Sequence, residues 1–134
     1  MMLAVGRHLL GEIPPSVVKI ASIFAGGLGG TRQELCGALS AGVMLIGVLY
    51  GRTHPGEDEA LARALAARFR ERFLTAFGTT QCAPIRQRFE VVGTSGYCAP
   101  VAEQAALLLC EVLTEQGMVL SSPDTFPKIN WLGK

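Results

Sequence analysis

Seventeen consecutive residues, Leu35 to Gly51 (LCGALSAGVMLIGVLYG), carry no charge. A run of that length sits at the lower edge of the ~17–25 residues that cross a bilayer. Gly37, Gly42, Gly47, Cys36 and Ser40 lie within it, and no aromatic or basic flank pattern brackets it, so it reads as a poor membrane span and a good buried central helix. A helix apolar on all sides must be enclosed, and the rest of the chain has to supply amphipathic partners. The chain has 134 residues, 49% of them hydrophobic and 17% charged, which suits one buried core and excludes a disordered tail. The formal net charge of +1 gives no footprint for nucleic acid.

The partners are legible as further helices. Residues 1–10 form a short helix stopped by Gly11, and Pro14-Pro15 open a second with Val17, Ile20, Ala21 and Phe24 at helical spacing, ending at Gly26 and Gly27. The loop GGLGG lacks the lysine and Ser/Thr of a phosphate-binding loop and reads as a tight inter-helix turn. Thr31 and Glu34 have capping-box spacing, which places Cys36 just past the first turn of the uncharged helix. On that helix Cys36, Ser40, Val43 and Gly47 form a stripe of small side chains that invites close approach by another helix or a compact cofactor.

Residues 57–77 give an amphipathic helix with three acids at its start and Leu61, Leu65, Phe69, Phe73 and Phe77 at every fourth position, stopped by Gly78. The arginines 63, 68, 70 and 72 form its wet face. Thr79 or Thr80 caps a short helix containing Cys82 and Pro84, residues 90–97 form a loop, and a last helix runs from about Ala99 to Gln116. No run shows the period-two alternation of a strand. The fold class is all-α: a single-domain irregular bundle of four to five helices over residues 1–120, followed by an extended tail, 121–134, with Phe126 and Trp131 as anchors.

The four cysteines, Cys36, Cys82, Cys98 and Cys110, contain no C-x-x-C pair, which removes zinc-ribbon and thioredoxin readings. Three of them, Cys36, Cys82 and Cys98, fall at predicted helix N-termini, where the macrodipole lowers a thiol's pKa and favours the thiolate. If those ends converge, they make a pocket for an anionic object such as a thiolate-ligated [2Fe-2S] cluster. Cys110 sits mid-helix at the border of the apolar face, as an inert thiol does, and is a weak fourth candidate ligand. His8 and His54 are too isolated for a zinc site or a triad.

The glycine loop leading to Cys36-Gly37-Ala38-Leu39-Ser40-Ala41-Gly42, the run to Tyr50-Gly51, Arg70-Glu71-Arg72-Phe73, Phe77-Gly78-Thr79-Thr80-Gln81-Cys82, and Cys98 before the last helix together resemble the C-GCAxxG-C-C family, whose members are described as redox-active. The likeness runs from near residue 1 to about residue 116. The family is similar to the cysteine domain of split-Soret cytochromes c, for which an iron–sulfur cluster has been proposed. Carried over by position, Cys36, Cys82 and Cys98 match family cysteines and Cys110 matches none. The family's first cysteine belongs just upstream of Met2-Leu3-Ala4-Val5; either the true start lies upstream or this member has lost that residue.

The resulting expectation is a cytoplasmic helical redox protein. Cys36, Cys82 and Cys98 either hold an iron–sulfur cluster for electron transfer to a partner protein or act as redox thiols in disulfide exchange. The competing reading is a non-catalytic helical interaction module, homodimeric in one form, whose cysteines only pack. Structural zinc is a third option. No membrane span and no nucleic-acid partner are expected.

Overall fold

The computed structural model describes residues 1–89 and 98–118. Six helices make up the described chain: α1 (Met2–Leu10), α2 (Pro15–Ile23), α3 (Gly37–Tyr50), α4 (Ala60–Phe77), α5 (Cys82–Phe89) and α6 (Ala99–Glu115). The all-α class holds; the helices number six where four to five were expected, and each coincides with a helical segment marked along the sequence, the short one at Cys82 included. Gly11 ends α1 in the left-handed region at φ 75°, its amide donating to the Arg7 carbonyl (2.9 Å). The expected loop at 90–97 and the tail at 121–134, with Phe126 and Trp131, lie outside the described residues.

The uncharged helix α3 is the centre of the bundle, packed against α1, α4 and α6. Leu39, Leu45 and Ile46 are almost wholly enclosed. The aromatic column of α4 completes the core: Phe69–Phe73 meet edge-on with centroids 6.3 Å apart, Phe73–Phe77 lie at 4.5 Å, and Phe89 of α5 extends the column at 6.1 Å from Phe77. Burying each such side chain contributes about 1.5–3 kcal/mol. Gly42 sets the approach of α3 to α4, since a Cβ there would lie 2.3 Å from the Phe69 ring. Arg72 fastens α4 to α6 at the surface through Glu111 (3.5 Å) and Glu115, and the Arg72 hydrogen bond holds the Glu115 carboxyl below the usual carboxylate range.

Two helix starts differ from expectation. Helix α4 begins at Ala60 instead of residue 57, because Asp58 accepts from the Ala60 amide (2.9 Å) and Glu57 turns back to the Thr53 amide (2.8 Å). The acids therefore precede the helix. Leu61 is 40% exposed although Leu65, Phe69, Phe73 and Phe77 are buried; each step of four residues rotates about 40° around a helix of 3.6 residues per turn, so a five-member row cannot stay on one face. The second difference is at α3, which starts at Gly37 and not near Thr31. The Thr31 hydroxyl is shared between the Gly27 and Leu28 carbonyls (2.9 Å each) and accepts from the Gln33 amide (3.3 Å). It closes the loop and caps no helix.

Among the described residues no helix is long and apolar enough to cross a membrane. The tight fit at Gly42 yields a paired prediction, read by denaturant unfolding. Gly42→Ala lowers stability by about 1–3 kcal/mol through overpacking against Phe69. Gly47→Ala, where nothing lies within 4 Å of the new Cβ, raises it by about 0.5–1 kcal/mol through helix propensity.

Candidate functional site

Five consecutive residues, Gly26 to Gly30, all have positive φ, between 59° and 74°. The GGLGG loop is thus a left-handed arc and not a simple tight turn. Glycine takes this conformation freely, whereas Leu28 (φ 72°) takes it at a cost of ~1–2 kcal/mol. The arc is closed by its own backbone, with Gly29 donating to Ile23 (2.8 Å) and Arg32 donating to Gly26 (2.8 Å). It returns the chain so that residues 34–36 run antiparallel to residues 80–82.

There Leu35 and Gln81 form an isolated antiparallel bridge, flanked by Cys36 N–H donating to Thr80 O (2.8 Å) and Cys82 N–H donating to Glu34 O (2.9 Å). Side chains alternate across such a ladder. Leu35 and Gln81 face outward and are exposed, while Cys36 and Cys82 share the inner face and are buried. Diagonal neighbours in a ladder stand ~7–8 Å apart between Cα atoms, just beyond the ~7 Å limit of a disulfide. All four cysteines are free.

All three predicted site cysteines lie at helix starts: Cys36 is the N-cap of α3, Cys82 the first residue of α5, and Cys98 the N-cap of α6. Each of the two buried thiols feels charge on a neighbouring cysteine: Cys36 responds to Cys82 and Cys98, and Cys82 to Cys98. Cys98 is exposed. The expected lowering of thiol pKa does not occur at Cys36 or Cys82. Burial pushes both thiols up, and at Cys36 the amides of Ala38 and Leu39 only partly offset it, no full hydrogen bond capping the helix. At Cys82 burial and Cys98 raise the pKa while the Arg86 and Arg32 guanidinium groups pull it down. Desolvation of the thiolate outweighs the helix-end field. Cys110 is buried apart from this group on α6, with its thiol pushed up to about 11 by burial and then by Glu111.

Three residues of the site were not legible as such. Arg32 and Arg86 carry no signal of their own in the sequence, and Gly27 reads as one loop glycine among several. A Cβ on Gly27 would lie 2.6 Å from the Cys82 Cβ and 2.9 Å from the Arg32 Cα, so this glycine lets the arc close directly over the second thiol. Gly37 plays a similar part on the other side, where a Cβ would meet the Ala25 Cα at 3.2 Å. The charge on Arg32 is a signal visible only once the arc is folded.

Among the described residues no group of three or more His, Cys, Asp or Glu side chains is placed to hold a metal ion. The described residues define a small all-helical protein with two buried thiols and one exposed thiol, each at a helix N-terminus. The chain belongs to the C_GCAxxG_C_C family, described as "putative redox-active protein", whose family model matches residues 1–117. No curated protein and no solved structure matches the chain.

Arg32→Gln is expected to slow alkylation of Cys82 at a fixed pH and move its pH profile upward. Site-resolved mass spectrometry reads this, with Arg7→Gln as the unchanged control. Raised thiol pKa values also fix the sign of a pH effect on stability. The neutral folded thiols contribute stability that is fully present below about pH 9 and is lost as pH rises toward about 11. Chemical denaturation across that range should show the fall, and Cys110→Ala should flatten its slope whatever that substitution does to the baseline.

Proposed function

We propose that the protein is a thiol–disulfide reductant whose working groups are Cys36, Cys82 and Cys98. The observation that carries this reading is the bridge at Leu35 and Gln81, which puts Cys36 and Cys82 on one face while Cys98 lies within electrostatic range of both. Cys98, being exposed, is the thiol that an external disulfide can reach. Its thiolate attacks one sulfur of the partner disulfide, forming a mixed disulfide and expelling the first partner thiol. Cys82, deprotonating as it attacks with Arg86 and Arg32 offsetting part of the burial penalty, then displaces the second partner thiol from the Cys98 sulfur. Exchange with Cys36 leaves a buried Cys36–Cys82 disulfide and restores free Cys98. One partner disulfide has gained two electrons and two protons, and one protein dithiol has become a disulfide.

The raised thiol pKa values bear on direction. A reduced form stabilised as thiolate makes a protein an oxidant. Here burial raises both inner thiols, so their reduced form lacks the thiolate stabilisation that makes a dithiol an oxidant.

Equilibration in thiol–disulfide buffers followed by peptide mapping should give a reversible Cys36–Cys82 disulfide with a potential below about −200 mV. Cys82→Ser should trap a mixed disulfide on Cys98. Protein purified without oxygen should contain no labile sulfide. Iron with visible charge-transfer absorption that disappears in Cys36→Ser would replace this reading with a cluster.

A further inference from the structure

Helix α2 is an anomaly in an otherwise well-packed bundle. It is nine residues long and mostly apolar, yet none of its residues is buried. A helix so short has little stability of its own. Ile20 and Ile23 are 60% and 63% exposed, and with Phe24 they follow the i, i+3, i+4 spacing of one helix face. The ridge ends at Phe24, which is also a wall of a groove of about 420 Å³ between α3 and α4, lined further by Leu35, Val43, Met44 and Ala67. Arg70, the charged side chain lining the groove, is already paired with Glu71 (2.9 Å), so the groove makes no demand for an anionic occupant and suits an apolar one.

Ridge and groove thus adjoin at Phe24. That is the requirement of an isologous contact, in which a two-fold axis carries each patch onto its own complement. We propose that two copies of this chain pair through this face, the Ile20–Ile23 ridge of each seated in the α3–α4 groove of the other. Ile20, Ile23, Phe24, Leu35 and Val43 are exposed by 60, 63, 36, 45 and 39%. At ~150–250 Å² for a large side chain, that is on the order of 450 Å² of apolar surface, more than half of the ~800 Å² each partner gives to a stable interface before the remaining groove walls are counted. The pairing is independent of the thiol chemistry: Cys36 and Cys82 lie on the inner face of their bridge, and the contact uses neither sulfur.

The test is sedimentation velocity of the full chain under reducing conditions, so that no disulfide can hold copies together. A dimer at micromolar concentration is expected. Ile23→Glu should raise the dissociation constant at least about tenfold, and Ala67→Trp, which fills the groove while leaving Ile20 and Ile23 unchanged, should do the same. Both should leave the helical circular dichroism intact. Leu107→Glu on α6, exposed to 44% and outside the patch, should remain dimeric. A wild-type monomer up to about 100 μM, or a dimer that survives both Ile23→Glu and Ala67→Trp, overturns the proposal. A monomer that sediments with phosphatidylglycerol vesicles overturns it in favour of a membrane surface.

Discussion

Two backbone hydrogen bonds, Cys36 N–H to Thr80 O and Cys82 N–H to Glu34 O, hold the candidate site together. Each is worth only about 0.5–1.5 kcal/mol net, yet they join segments more than forty residues apart and fix the start of α3 against the start of α5. Without them the two thiols would sit at the ends of unrelated helices. The bridge can form because both approaching segments are already shaped. On one side the left-handed arc ends at Arg32; on the other, Gly78 caps α4 in the left-handed region at φ 73°, and Arg88 donates to the Phe77 carbonyl (2.6 Å). Thr79 then accepts from the Gln81 amide (3.2 Å), turning the chain into the bridge.

Burial and helix-end electrostatics act against each other at this site, and burial wins. A helix N-terminus contributes roughly 0.3–1 kcal/mol to a nearby negative charge, up to ~2 kcal/mol in partly buried settings. Enclosing Cys36 beneath the arc removes solvation of its thiolate, and the Ala38 and Leu39 amides return only part of that. Cys82 shows the same competition with two guanidinium groups on the favourable side. The outcome separates the cysteines by role: two inner thiols held neutral, with an exposed third at the N-cap of α6. Cys110 has the burial without the neighbouring thiols, and its pKa of about 11 is what such a position gives.

The helices themselves were readable because hydrophobic period and Gly/Pro punctuation act within ten or twenty residues. The uncharged run became the central helix, the phenylalanines at every fourth position became the core of α4, and the three cysteines fell at helix starts. Errors came where a local signal had a stronger competitor. Thr31 and Glu34 have the spacing of a capping box, but five left-handed residues upstream turn the Thr31 hydroxyl back onto the arc, and Cys36 takes the cap position. The partnership of Cys36 with Cys82, and the places of Gly27 and Arg32 beside it, depend on a ladder between distant segments and have no local sequence signature.

The block CGALSAG can now be taken apart residue by residue. Cys36 occupies the N-cap position of the helix and is buried in the candidate site. Gly37 lets the first turn lie against Ala25 and the Phe24 carbonyl, while Gly42 lets the opposite side admit the Phe69 ring. Five residues apart on a helix is about 140° around its axis, so the two glycines answer to different neighbours: one to the loop that closes over the thiols, the other to the aromatic core. Between them Ser40 donates to the Cys36 carbonyl (3.4 Å) and reaches the groove. One turn and a half of helix thus carries three separate duties, and each small side chain is there because a different piece of the structure comes close to it. A larger residue at Gly37 would push the arc away from Cys36, whereas one at Gly42 would part α3 from α4 and leave the thiols' local frame in place. The motif joins the candidate site to the core through backbone proximity, and Gly37 is as necessary to the position of the cysteine as the hydrogen bonds that hold it.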